Sequence, residues 1–153
     1  IWTGPRKEPP IRVKSLAGIV VDDTDARSSL GWKKSSSITP YVGQGYQHDG
    51  DTDKGNRKIV FTAEITQDGI YEVRVYYVPS SNRATNVPYE LRTAEGPVTV
   101  RVNQRKKPEQ GKYQVLGTFL FKSGKQEILT VSNQGTDGHV IVDALQLVPL
   151  ESK

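Results

Sequence analysis

A guanidinium, two carboxamides and a hydroxyl fall within one short stretch, Asn82-Arg83-Ala84-Thr85-Asn86, between Pro79 and Pro88. The prolines stiffen the ends of this connection. Arginine and asparagine on a braced loop suit recognition of hydroxyl-rich or anionic ligands through charge-assisted and neutral hydrogen bonds. The competing use of the same residues is to tie the loop to neighbouring backbone. Tyr89, just beyond the loop, and Asn103-Gln104-Arg105 further on extend the candidate binding set. Aromatic residues amid glycine and polar residues in Gly31-Trp32 and Tyr41-Val42-Gly43-Gln44-Gly45-Tyr46-Gln47-His48 add Trp32, Tyr41 and Tyr46 as flat surfaces for a sugar ring, with His48 serving hydroxyls. Each ring could equally be core, and burial is the stronger expectation for Trp32.

Acids form two further groups. Asp22, Asp23 and Asp25 are close enough to repel unless a cation, an arginine or backbone amides compensate them, so a structural Ca²⁺ stands beside plain turn capping. Asp49-Gly50-Asp51-Thr52-Asp53-Lys54-Gly55 begins like a calcium loop, but Lys54 replaces the turn glycine and Val60 the closing glutamate, so it is read as an exposed loop. Catalytic chemistry is poorly supplied. The two histidines, His48 and His139, lie about ninety residues apart, there is no cysteine, and no Gly-x-Ser-x-Gly elbow occurs. A glycosidase could work with carboxylates alone, and Asp22, Asp23, Asp25, Asp137 and Asp143 are the candidates. Asp143 stands out, flanked by Val142 and Ala144 in an apolar run; if buried it must accept hydrogen bonds or pair with a cation.

The elements that must hold these groups are strands. Tyr71-Glu72-Val73-Arg74-Val75-Tyr76-Tyr77 puts Tyr71, Val73, Val75 and Tyr77 on one face and Glu72, Arg74 and Tyr76 on the other. Lys58–Ile65, the turn Gln67-Asp68-Gly69 and the Tyr71 strand read as a β-hairpin. Val98, Val100 and Val102 alternate with Thr99, Arg101 and Asn103. Val87–Thr93, Tyr113–Phe121 and Glu127–Ser132 are further strands, with Gly117 hinting at a bulge. His139–Pro149 reads as one long central strand. Eight to ten short strands with no amphipathic helix predict an all-β fold, an antiparallel β-sandwich of jelly-roll type.

With 153 residues, the chain has room for one domain with a real core. Residues 1–16, with Pro5, Pro9 and Pro10 among charged residues, read as a linker or an edge extension through Ile11–Lys14; residues 17–150 form the module. No apolar run approaches the roughly 20 residues that cross a bilayer, and no membrane partner is expected. The missing initiator Met suggests a cut from a longer chain. A formal charge of +4 favours anionic partners weakly. The basic residues Arg101, Arg105, Lys106, Lys107 and Lys112 read as a solvated hairpin tip, and no nucleic-acid motif is present.

Three segments, Asn82–Pro88, Val102–Arg105 and Asn133–Gln146, together with Val20–Ala26, Gly31-Trp32 and Tyr41–Asp49 in the same order, resemble the golvesin/xanthan-lyase type carbohydrate-binding-like domain. The resemblance spans about Ala17 to Pro149. It implies a galactose-binding-like β-sandwich appended to large secreted bacterial proteins, polysaccharide lyases among them, and it supplies no catalytic residues. The expectation is a monomeric, non-catalytic module, secreted or at the cell surface. It would hold a catalytic domain of the same parent chain on an extracellular, acidic polysaccharide. No cofactor is expected beyond the structural Ca²⁺ already raised. The rivals are a spacer that binds no sugar and, third, a polysaccharide-degrading enzyme.

Overall fold

A computed structural model describes residues 8–150. Among these described residues, twelve strands build three antiparallel sheets. One sheet has the order β1 (Ile19–Asp22), β12 (Ala144–Pro149), β6 (Gly69–Tyr76), β9 (Gln114–Phe121). The opposing sheet runs β2 (Arg27–Ser28), β5 (Lys58–Ile65), β10 (Gly124–Ser132), β7 (Val87–Thr93), β8 (Gly96–Val102). A small third sheet, β11 (Ile141–Val142), β4 (Tyr46–His48), β3 (Lys33–Ser35), lies beside them. This is the antiparallel β-sandwich the alternation predicts.

Inward side chains of the two larger sheets make one core. Val73 and Val75 of β6, Leu145 and Leu147 of β12, and Ile59 and Leu129 of β5 and β10 are all essentially inaccessible. Full burial of such an aliphatic chain is worth about 1.5–3 kcal/mol. A smaller cluster of Val42, Tyr76 and Ala144 lies apart from it, with Ile11, Leu16 and Tyr113 packed against it.

Two expectations about connection fail. β5 and β6 do not form a hairpin: β5 pairs with β10 and β2, β6 with β12 and β9. Residues 66–68 therefore carry the chain from one sheet to the other, so that the apolar faces of both strands meet in the core. Nor is His139–Pro149 one strand. It breaks at Asp143, leaving β11 in the small sheet and β12 in the four-stranded one. The hinted bulge is present, since the β6–β9 register slips between Val73 and Arg74, opposite Gly117. At the N-terminal side, Ile11 makes a single bridge to Val42 and Val13–Ser15 form a turn of 3-10 helix, so no edge strand runs through Ile11–Lys14. The rest of the linker expectation, residues 1–7, lies outside the described residues.

Candidate functional site

The loop centred on Arg83 turns inward. Arg83 is 5 % exposed. Its Nε donates to the Val78 carbonyl at 3.0 Å and its Nη1 to Asn82 Oδ1 at 2.8 Å. Burial lowers the guanidinium's pKa. Tyr89 and Gln104 are core residues: Gln104 Nε2 donates to Tyr89 Oη and to the Ile141 carbonyl, both at 2.8 Å, while its Oε1 accepts from the Ile141 N–H. Tyr46 is buried as well, its hydroxyl bonded by Ser35. All four are buried and turn these polar groups inward, so, contrary to expectation, none of them faces outward to meet a ligand.

The remaining candidates stay at least partly accessible but are already engaged. Asn86 Nδ2 donates to the Gly135 carbonyl, and Arg105 Nε donates to the Arg83 carbonyl. Asn103 Oδ1 accepts from the Arg105 N–H. Trp32 donates its indole N–H to the Lys58 carbonyl and packs on the core. Tyr41 packs on the core too, its ring 6.3 Å from that of Tyr46. His48 accepts from the Gly50 N–H through Nδ1, its ring 5.9 Å from His139. Of the ten candidates, only Asn103 lines any of the grooves of about 610, 740 and 470 Å³.

A cleft of about 610 Å³ opens elsewhere, on the outer face of the β1-β12-β6-β9 sheet. Its floor is set by strand alternation: Arg74 and Tyr76 of β6 and Gln146 of β12 point away from the sandwich core. Tyr76 donates to Gln146 Oε1 at 2.7 Å, and Gln146 Nε2 donates to the Ala17 carbonyl, which fixes both side chains. Tyr113 leaves the loop before β9 to stand 5.9 Å from the Tyr76 ring, with the Arg74 guanidinium 4.3 Å from its centroid. Glu72 orients Arg74 from the side at 2.6 Å. Lys107 and Lys112 reach the rim, where Glu8 is the lone acid among the described lining residues. A half-exposed ring, an oriented guanidinium, two ammonium groups and a fixed amide can together hold a polar, ring-shaped, negatively charged ligand. These lysines belong to the run expected to be a solvated tip, and neither Arg74 nor Tyr113 is among the candidates named from sequence. The available signal was the Glu72, Arg74, Tyr76 face of the Tyr71 strand. A second groove of about 740 Å³ on the opposite sheet, lined by Lys58, Glu90, Arg101 and Thr130, has no aromatic wall.

The two acid groups also resolve. Asp49 is fully buried rather than part of an exposed loop, and it is saturated. Lys54 Nζ reaches its Oδ2 at 2.9 Å, Asn133 Nδ2 the same oxygen at 3.0 Å, and the Asp51 and Val140 N–H groups its Oδ1 at 2.9 Å. Burial pushes its pKa up, but these donors outweigh burial and hold it below the ordinary carboxylate range. Asp22 and Asp23, by contrast, meet Asp143 across the fold. One carboxylate oxygen from each lies within 4.8 Å of those from the other two. Burial drives the pKa of Asp23 up to about 7, helped by Asp22, and that of Asp143 well above its ordinary value. Asp25 stays exposed and outside this cluster, while Asp137 is spent on the Thr85 N–H and hydroxyl.

Two packed antiparallel sheets with this connectivity define a galactose-binding-like β-sandwich. A family 35 carbohydrate-binding module from Clostridium thermocellum shares the fold, with a TM-score of 0.60 at 11 % identity over 88 % of this chain and 100 % of that one. Residues 19–149 match the Golvesin C-terminal domain, and the chain belongs to that family. It is 30 % identical over 139 residues to the xanthan lyase of Bacillus sp. strain GL1, covering 87 % of this chain and 15 % of that enzyme. The structure of a Paenibacillus xanthan lyase superposes with a TM-score of 0.82 at 32 % identity, over 87 % of this chain and 13 % of the enzyme. The chain thus spans a small fraction of the lyases it resembles.

Proposed function

We propose that this domain is a non-catalytic carbohydrate-binding module that holds an acidic extracellular polysaccharide in the Arg74–Tyr113 cleft. It works as a monomer outside the cell and keeps a catalytic domain of the same parent chain close to its substrate. The observation that carries this reading is the cleft itself, lined by Arg74, Lys107, Lys112 and Tyr113 with Glu8 at its rim, while Glu72 holds Arg74 from the side. A sugar carboxylate would pair with Arg74 and Lys112 while the ring lies against Tyr113. The relationship to xanthan lyases supports a polysaccharide ligand, and the fold shared with a family 35 module supports binding without turnover. Among the described residues the buried cluster of Asp22, Asp23 and Asp143 does not line the cleft, and Glu8 is the one acid in its lining, which favours binding over two-carboxylate hydrolysis there.

Affinity electrophoresis of the chain through gels containing xanthan or a neutral mannan tests this. Retardation by xanthan is expected, weakening as salt rises, because exposed ion pairs are screened. Tyr113→Ala and Arg74→Ala should each lose about 1–2 kcal/mol of binding, about tenfold in Kd. Equal mobility in all gels would overturn the reading. A second reading, a spacer that binds no sugar, is favoured by the internal use of Arg83, Tyr89 and Gln104, and it predicts that equal mobility.

A further inference from the structure

The outer face of the five-stranded sheet carries the groove of about 740 Å³, which the acidic-glycan reading does not use. Its floor follows the strand register. Lys58 lies opposite Ser132, Thr130 opposite Glu90, Glu90 opposite Thr99, and Pro88 opposite Arg101, so outward positions of β5, β10, β7 and β8 stand in adjacent rows. Two loops close one end, through Gly55-Asn56 and Gln134-Gly135. Fully buried Asn133 ties them together: its Oδ1 accepts from the Gly55 N–H at 2.9 Å, and its Nδ2 donates to the Thr52 carbonyl and to Asp49 Oδ2, both at 3.0 Å. The groove is therefore shaped before any ligand arrives.

Its charged members are uncommitted. Lys58, Glu90 and Arg101 are exposed and form no ion pair among the described residues. Arg101 gives one donor to the Asn86 carbonyl at 3.3 Å, which steadies its fork. An ionised Glu90 only accepts hydrogen bonds, Lys58 and Arg101 only donate them, and Thr99, Thr130 and Ser132 do both. A hydroxyl answers both demands at neighbouring positions, donating to the carboxylate and accepting from the cation. A sugar acid would bring its charge against Glu90. An apolar ligand finds only Pro88 to lie on. Glu90 also lines a neighbouring groove of about 430 Å³ with Arg92, Thr93 and Pro97, so the two recesses join along the β7–β8 seam. From Pro88 to Arg92 that seam runs about 13 Å at the ordinary strand rise, longer than a single sugar ring.

We propose that this face is a second glycan site, one for a neutral polysaccharide, with Glu90 accepting from adjacent sugar hydroxyls and Lys58 and Arg101 donating on either side. It opens on the sheet opposite the Arg74–Tyr113 cleft, so one domain can hold two polymer chains at once. The inference rests on the proposed function only in taking the domain as a glycan binder, and the cleft is silenced in its test.

The test is affinity electrophoresis of the whole chain carrying Arg74→Ala and Tyr113→Ala through gels of hydroxyethylcellulose, lichenan and galactomannan. At least one of these neutral polymers should retard it, and the retardation should hold as salt rises, because the ligand has no charge to screen. Adding Glu90→Gln or Arg101→Ala should weaken Kd about tenfold. Both positions are exposed, so Tm should stay within about 2 °C of the parent variant, which separates lost binding from lost folding. No retardation of the wild type by any of the three would overturn the proposal, whether or not xanthan retards it. Retardation of the wild type that vanishes in the Arg74→Ala/Tyr113→Ala variant would give the neutral chain to the cleft and overturn it too. Retardation that survives both Glu90→Gln and Arg101→Ala would overturn the site.

Discussion

Lys54 shows how one side chain can take the place of an ion. Its side chain is 28 % exposed, yet its ammonium reaches an aspartate side chain with no exposure at all. Lys54→Met would keep the stem and delete the charge. Three donors would remain on Asp49, so the loss should be about 2 kcal/mol rather than the 3–5 typical of a fully broken buried pair. Urea unfolding at neutral pH checks it. His48 offers a pH readout at the same scale. Burial, then the nearby His139 and Arg83, push its pKa below the ordinary 6.5, and its Nδ1 must be unprotonated to accept from the Gly50 N–H. A depressed folded-state pKa gives stability that is present above the unfolded value and lost as pH falls through the folded one. Wild-type stability should therefore fall as pH drops below about 6.5, and His48→Gln should flatten that fall in denaturant titrations. What the sequence could not reveal at this scale was direction. Arg83 and Gln104 have the composition of a ligand-binding loop, and nothing in their neighbours distinguishes bonding inward to Val78 and Ile141 from bonding outward to a sugar. Asp143 was different: an acid between Val142 and Ala144 was visibly out of place, and it proved to be the third member of the buried cluster.

Strand identity was legible because the alternation of Val98, Val100 and Val102, or of Tyr71, Val73 and Val75, records which face is buried. Strand partners were not, since Gln67-Asp68-Gly69 has the composition of a tight turn and yet links strands in opposite sheets. The cleft is illegible in the sequence for a related reason: it is assembled from β6, β12 and a polar loop that lie far apart in the chain. Gly117 is the element-scale feature most open to test. Its φ of 146° disfavours any side chain, and a Cβ would stand 2.8 Å from the Phe119 ring. Gly117→Ala should cost about 1–3 kcal/mol and straighten β9 at the slip opposite Val73. Because β9 runs directly out of Tyr113, the same substitution should also weaken glycan retardation, which separates it from a purely distant loss of stability.

At the scale of the whole molecule, the described chain begins and ends its sheet on neighbouring strands. Ile19 of β1 lies opposite Leu147 of β12, so the first residue of one strand adjoins the last residues of the other. A tether that pulled on both ends would load this ladder from the same end, opening its hydrogen bonds one after another instead of shearing them together. In single-molecule stretching the β1–β12 pair should therefore peel at low force, ahead of the β5–β10 and β7–β8 ladders. Tension applied at the two ends would then be felt first at this seam.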